Sequence, residues 1–86
     1  MKPRITMSLT ASGELEIWLN EKGRDLLVRE LLKLNEKNEH FHLFPDGELD
    51  TSTIAYRATD KIIWSGKVLF RTDECDRKHY PHVMMG

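Results

Sequence analysis

The chain has 86 residues, which fits one domain and leaves little room to enclose a substrate beside a core. Thirteen basic and fourteen acidic residues, mixed along the chain, give a formal charge of −1, so the composition lacks the positive field that drives nonspecific nucleic-acid binding. No stretch approaches the roughly 20 apolar residues that cross a bilayer, and we expect a cytoplasmic protein with neither nucleic acid nor membrane as a partner.

Two short segments near the N-terminus alternate apolar and polar residues, which is the period of a strand with one buried face. The first spans residues 5–10 and the second residues 14–19, and Ala11-Ser12-Gly13 lies between them as a turn. The pattern predicts an antiparallel hairpin. Its apolar face would carry Ile5, Met7, Leu9, Leu15, Ile17 and Leu19.

An amphipathic helix is predicted over residues 21–36. Asn20 can accept a backbone N–H as the N-cap, and leucines recur at Leu27, Leu31 and Leu34 with charged residues between them. We expect this leucine stripe to pack on the apolar face of the hairpin.

The segment His40-Phe41-His42-Leu43-Phe44 predicts a third strand that ends at the turn Pro45-Asp46-Gly47. Residues 54–57 and 62–71 are further strand candidates. The order ββαββ(β) predicts an α+β fold, with a single antiparallel sheet of four to five strands and one helix on one face. Residues 1–71 would form this domain, and residues 72–86, rich in charge and histidine, a weakly ordered C-terminal tail.

The other face of a single sheet is then expected to be open and polar. It would carry Glu16, Trp18, His40 and His42, which we take as the candidate partner-binding residues, because tryptophan is enriched at binding hot spots and acidic neighbours favour a basic partner. The alternative is that residues 62–70 or the tail cover Trp18.

No catalytic motif is recognisable in the sequence. Cys75, the single cysteine, follows Asp73 and Glu74 and precedes Asp76, and these carboxylates disfavour the thiolate that a nucleophile needs. We therefore expect no enzymatic activity and no cofactor, and favour a protein-binding module.

A metal-binding protein is the first alternative. Imidazole and thiolate are common metal ligands, although the spacing C-x3-H-x2-H matches no common structural-zinc pattern. The candidate ligands are His40, His42, Cys75, His79 and His82. The second alternative is a homodimer in which the open sheet face covers itself, as small domains often do.

The middle of the chain, from Gly13 through the leucine-rich helix to Asn38-Glu39-His40-Phe41-His42-Leu43, resembles the small immunity proteins of bacterial polymorphic toxin systems. In one such family a helix of this kind leads into a strand with a His-x-His-Leu signature. The resemblance implies a cytoplasmic α+β protein that binds and neutralises a toxin and performs no reaction. The segment after Pro45 departs from this pattern.

Overall fold

The computed structural model describes residues 2–85, which form an α+β fold with two antiparallel sheets and two α-helices. The strands are β1 (Ile5–Leu9), β2 (Leu15–Leu19), β3 (His40–Leu43), β4 (Lys61–Ile63) and β5 (Gly66–Leu69). The α-helices are α1 (Glu21–Leu32) and α2 (Asp73–His79), and a 3-10 helix spans Pro81–Met85.

The N-terminal hairpin is confirmed. Strands β1 and β2 pair antiparallel with Met7 opposite Ile17, and Leu9 opposite Leu15. Gly13 has a φ of 89°, a left-handed conformation that glycine adopts without strain, and its N–H donates to the Thr10 carbonyl at 2.9 Å to close the turn.

The prediction of one continuous sheet is wrong. Strand β4 pairs with β1, so the first sheet has the order β2-β1-β4, whereas β3 pairs with β5 in a separate two-stranded sheet. The predicted strand 62–71 is broken at Trp64 and Ser65, and its two halves join different sheets. At the break, the Thr51 side chain donates a hydrogen bond from Oγ1 to the Trp64 carbonyl at 2.5 Å.

The predicted strand over residues 54–57 does not form. Ser52 Oγ accepts the Ile54 N–H at 3.2 Å, and the Ser52 N–H donates to the Ile5 carbonyl at 2.8 Å. Local side-chain bonds of this kind compete with a strand ladder. The irregular residues 52–60, hereafter the 52–60 segment, therefore begin beside Ile5 of β1 and form no strand of their own.

Helix α1 begins as predicted but ends earlier. Asn20 Oδ1 accepts the Gly23 N–H at 2.8 Å, which confirms the N-cap. The helix stops at Leu32 because Asn38 Nδ2 donates to the Lys33 carbonyl at 3.0 Å, while Asn35 Oδ1 accepts the Lys37 N–H at 2.8 Å. These side chains take up backbone groups of the next predicted turn.

A second helix corrects the prediction of only one. Thr72 caps α2 by accepting the Cys75 N–H at 3.1 Å. Its first turn carries acidic residues and its last turn basic ones, the arrangement that a helix dipole favours. The helix lies in the segment assigned to the tail, and the expected weak order of residues 72–86 stays a prediction.

The core lies between the two sheets. Among the described residues four hydrophobic side chains are buried, namely Ile5, Met7, Leu43 and Leu49. Four partly buried side chains pack around them: Leu26, Phe41, Ile63 and Val68. From helix α1 it is Leu26 that reaches this cluster, whereas Val28, Leu31 and Leu32 are exposed. Of the predicted stripe, Leu27 and Leu34 are partly buried and Leu31 is exposed, and none of the three packs against this cluster, so the prediction that the stripe covers the apolar face is wrong. Neither helix within residues 2–85 has the length and apolar character needed to cross a membrane.

Candidate protein-binding surface

The four candidate partner-binding residues do not share one face. Glu16 and Trp18 lie on β2 in the first sheet, whereas His40 and His42 lie on β3 in the second. The prediction of a common face assumed a single sheet. Because the strands form two sheets, that prediction is wrong. A partner contact by any one of the four stays a prediction.

Trp18 is covered from within the chain. The Tyr56 ring stacks on the Trp18 ring with centroids 4.2 Å apart and planes 11° from parallel, and the Arg57 guanidinium lies 5.2 Å from the Trp18 centroid. The sequence anticipated a cover, but assigned it to residues 62–70 or the tail. The tryptophan indole Nε1–H is buried and has no hydrogen-bond partner among the described residues.

Arg57 fixes this cover to the sheet. Its Nη1 contacts Glu16 at 2.5 Å and Asp60 at 3.0 Å. Hydrogen bonds from Glu16 and then Asp60 raise the pKa of Arg57 above its ordinary value, so the guanidinium stays charged. Thr6 and Ser8 on the same face are buried, and Thr6 lines a cleft with Ser52 and Tyr56. The face expected to be open is thus covered by the 52–60 segment.

The two histidines of β3 are both exposed and lie against each other, edge to face, with ring centroids 5.1 Å apart. Within residues 2–85 no group of three or more His, Cys, Asp or Glu side chains is placed to hold a metal ion. A cleft of about 310 Å³ contains Cys75 and His79 together with Arg71, whose Nη1 lies 3.9 Å from the Cys75 sulfur. The predicted metal ligands therefore remain candidates, and the structure does not bring them together in one site.

The open apolar surface lies on the side that the sequence assigned to the core. Leu15, Ile17 and Leu19 on β2 are 56%, 50% and 38% exposed, whereas Ile5 and Met7, their neighbours on β1, are 0% and 7% exposed. Residues paired across antiparallel strands point to the same face. The core therefore covers the apolar side chains of β1 but not those of β2. We call the three uncovered residues of β2, Leu15, Ile17 and Leu19, the aliphatic row.

Among residues 2–85, the backbone N–H and C=O groups of the aliphatic row also have no strand partner. The Thr10 N–H donates to the Glu14 carbonyl at 2.9 Å, and the Asn20 N–H donates to the Arg4 carbonyl at 3.2 Å. Bonding towards a neighbour alternates along an antiparallel strand, so Glu14, Glu16, Trp18 and Asn20 face β1. The N–H and C=O groups of the aliphatic row consequently point away from β1, at the outer edge of the sheet.

This edge carries few of the features that discourage strand pairing, since its one charged side chain, Glu16, is paired with Arg57. Natural edge strands are often blunted by lysine, proline, a bulge or short length. Strand β2, with the sequence Leu-Glu-Ile-Trp-Leu, has five residues and neither lysine nor proline, whereas β4 at the opposite edge has three residues and begins with Lys61. The absence of lysine and proline is visible in the sequence, but the predicted helix on this face assigns the aliphatic row to the core.

The molecule as a whole is flat and expanded. Its radius of gyration is 15.1 Å and its extents are 42 × 30 × 18 Å, whereas a compact domain of this length has a radius of about 12 Å. The described residues thus bury less apolar surface than a domain of this size usually does.

Comparisons with known proteins identify no relative. No protein-family model matches the chain, and neither a curated protein nor a solved structure matches it.

Proposed function

We propose that this protein is a non-enzymatic protein-binding module that buries the aliphatic row of β2 against a protein partner. The observation that carries the proposal is the coincidence, on the same three residues, of exposed aliphatic side chains and outward-pointing backbone groups. A partner strand satisfies both at once, because it supplies backbone hydrogen bonds and apolar contact together.

The small core supports the same proposal. Among the described residues only four hydrophobic side chains are buried, and net stability is a small difference between apolar burial and chain entropy. A ligand that binds only the folded state stabilises it by mass action. A protein that covers the aliphatic row would therefore also stabilise the fold.

An immunity-type inhibitor is the more specific form of the proposal. It is supported by the resemblance of the segment from Gly13 to Leu43, in which His40 and His42 are exposed on β3 and available to a partner. Under this form the partner is a toxin and the module performs no reaction.

Site-specific photocrosslinking in the native cell tests the proposal. A photoreactive phenylalanine replaces Leu19 in the aliphatic row, and in a matched variant it replaces Lys67, an exposed residue of β5. We expect a discrete crosslinked product from position 19 that position 67 does not give. Adding Ile17→Lys to the position 19 variant should abolish the product, because lysine places a charge in the apolar contact.

Two results would contradict the proposal. One is the absence of any product from position 19. The other is the same products from positions 19 and 67, which would reflect random collision.

A further inference from the structure

We infer that the partner of the β2 edge is a second copy of this chain, paired antiparallel about a two-fold axis at Ile17. The inference rests on the proposed function, since it names the protein that covers the aliphatic row. It differs from a dimer that covers the Trp18 face, because the 52–60 segment already covers that face.

The side chains of β2 are symmetric about Ile17. In an antiparallel pair centred on this residue, Ile17 lies opposite Ile17 of the second copy, and Leu15 lies opposite Leu19. Each half-exposed aliphatic side chain therefore meets another aliphatic side chain. An isologous two-fold interface requires this kind of self-complementarity.

The backbone N–H and C=O groups of β2 have the same two-fold symmetry. The outward-pointing residues of β2 are Leu15, Ile17 and Leu19, and these are the residues that face one another in the pairing. Residues whose N–H and C=O point at each other exchange two hydrogen bonds per pair. A register shifted by one residue would set the inward-bonded Glu16 or Trp18 against the partner's outward groups.

Charge does not oppose the association. In the centred register Glu16 lies opposite Trp18 and Glu14 lies opposite Asn20, so no carboxylate faces a carboxylate. The chain carries a formal charge of −1, so two copies repel each other weakly at long range.

Two-fold pairing would also leave no exposed β2 edge. It would join two three-stranded sheets into one, with β4 strands at both outer edges. Those edges are short and begin with Lys61, which suits them to remain unpaired. The aliphatic rows of the two copies would form one apolar strip on the joined sheet.

Sizing of the purified protein gives the first test. Sedimentation should give twice the chain mass of 10.1 kDa for the parent and for Ile54→Lys, a control at an exposed residue of the 52–60 segment. Ile17→Lys should sediment as a monomer. A monomeric parent at high concentration overturns the inference but leaves the proposed function intact if position 19 still crosslinks another protein.

Disulfide trapping tests the register, in a Cys75→Ser background. Paired residues of this type have Cα atoms about 5.5 Å apart, within disulfide range, so Ile17→Cys should give a covalent dimer under mild oxidation. Leu15→Cys should not, because four residues along the strand separate the two copies of Leu15 by at least about 13 Å. Circular dichroism checks that both variants fold. Equal trapping of both variants, or trapping of neither, overturns the inference.

Discussion

Gly23 shows how a single residue joins α1 to β1. A Cβ atom at this position would clash with the Arg4 carbonyl oxygen and would lie 3.0 Å from Asn20 Oδ1. By intrinsic propensity alone, a glycine at this position would only weaken the first helical turn. In the structure, its missing side chain allows the helix N-terminus to approach the start of the sheet, and Asn20 Oδ1 also accepts the Arg4 N–H there at 2.8 Å.

Replacing Gly23 by alanine should therefore destabilise the protein. Alanine favours a helix by about 1 kcal/mol relative to glycine, but the backbone on both sides has to move, and overpacking of this kind costs about 1–3 kcal/mol. Urea unfolding of Gly23→Ala should show a net loss of stability. Lys22→Ala, at an exposed neighbouring position, should change stability by less than about 0.5 kcal/mol. An increase in stability for Gly23→Ala would refute the close approach.

The 52–60 segment covers one side of the first sheet without forming a strand. Its contacts with β2 include the Tyr56 ring stacked on Trp18, the Arg57 guanidinium over the same indole, and the ion pair of Arg57 with Glu16. Because the Tyr56 side chain is half exposed, its contribution to stability comes mostly from the stacking of its ring on Trp18. The segment decides which face of β2 remains available to a partner.

Removing the Tyr56 ring should uncover Trp18. In a Trp64→Phe background, which leaves Trp18 as the single tryptophan, Tyr56→Ala should shift the fluorescence emission to longer wavelength. It should also lower stability by about 1–2 kcal/mol, since an aromatic pair contributes ~0.5–1.5 kcal/mol beyond its buried area. Tyr56→Phe keeps the ring and should leave the emission unchanged. An unshifted spectrum for the alanine variant would show that another group covers Trp18.

Local patterns predicted the elements that local interactions determine. Alternation placed β1 and β2 correctly, and the Asn20 cap placed the start of α1. The predictions failed where distant partners decide. Trp64 and Ser65 read as strand interior, but Thr51 binds the Trp64 carbonyl from 13 residues away and the chain changes sheets there.

The candidate site was not predicted, for a similar reason. Alternation correctly separated Leu15, Ile17 and Leu19 from Glu16 and Trp18, but it does not say which face is covered. That depends on the position of α1 and of the 52–60 segment. The helix ends at Leu32 and contributes Leu26 to the core, so the open side is the aliphatic one.

At the scale of the whole molecule, residues 2–85 form a flat body with a small core. It measures 18 Å along its shortest axis and 42 Å along its longest, with a core of four buried hydrophobic side chains among the described residues. Small domains that bury little apolar surface commonly gain stability by oligomerisation. Pairing through β2 would extend the first sheet and bring the aliphatic rows of the two copies into contact.

Amide hydrogen exchange, followed by NMR at low and high protein concentration, tests this pairing most directly. The inward amides of Glu16 and Trp18 should be protected at both concentrations, because they bond to β1. The outward amides of Leu15, Ile17 and Leu19 should exchange rapidly in dilute solution and become protected as the concentration rises. Rapid exchange of those three amides at both concentrations, with Glu16 and Trp18 still protected, would contradict pairing of β2 with a second copy.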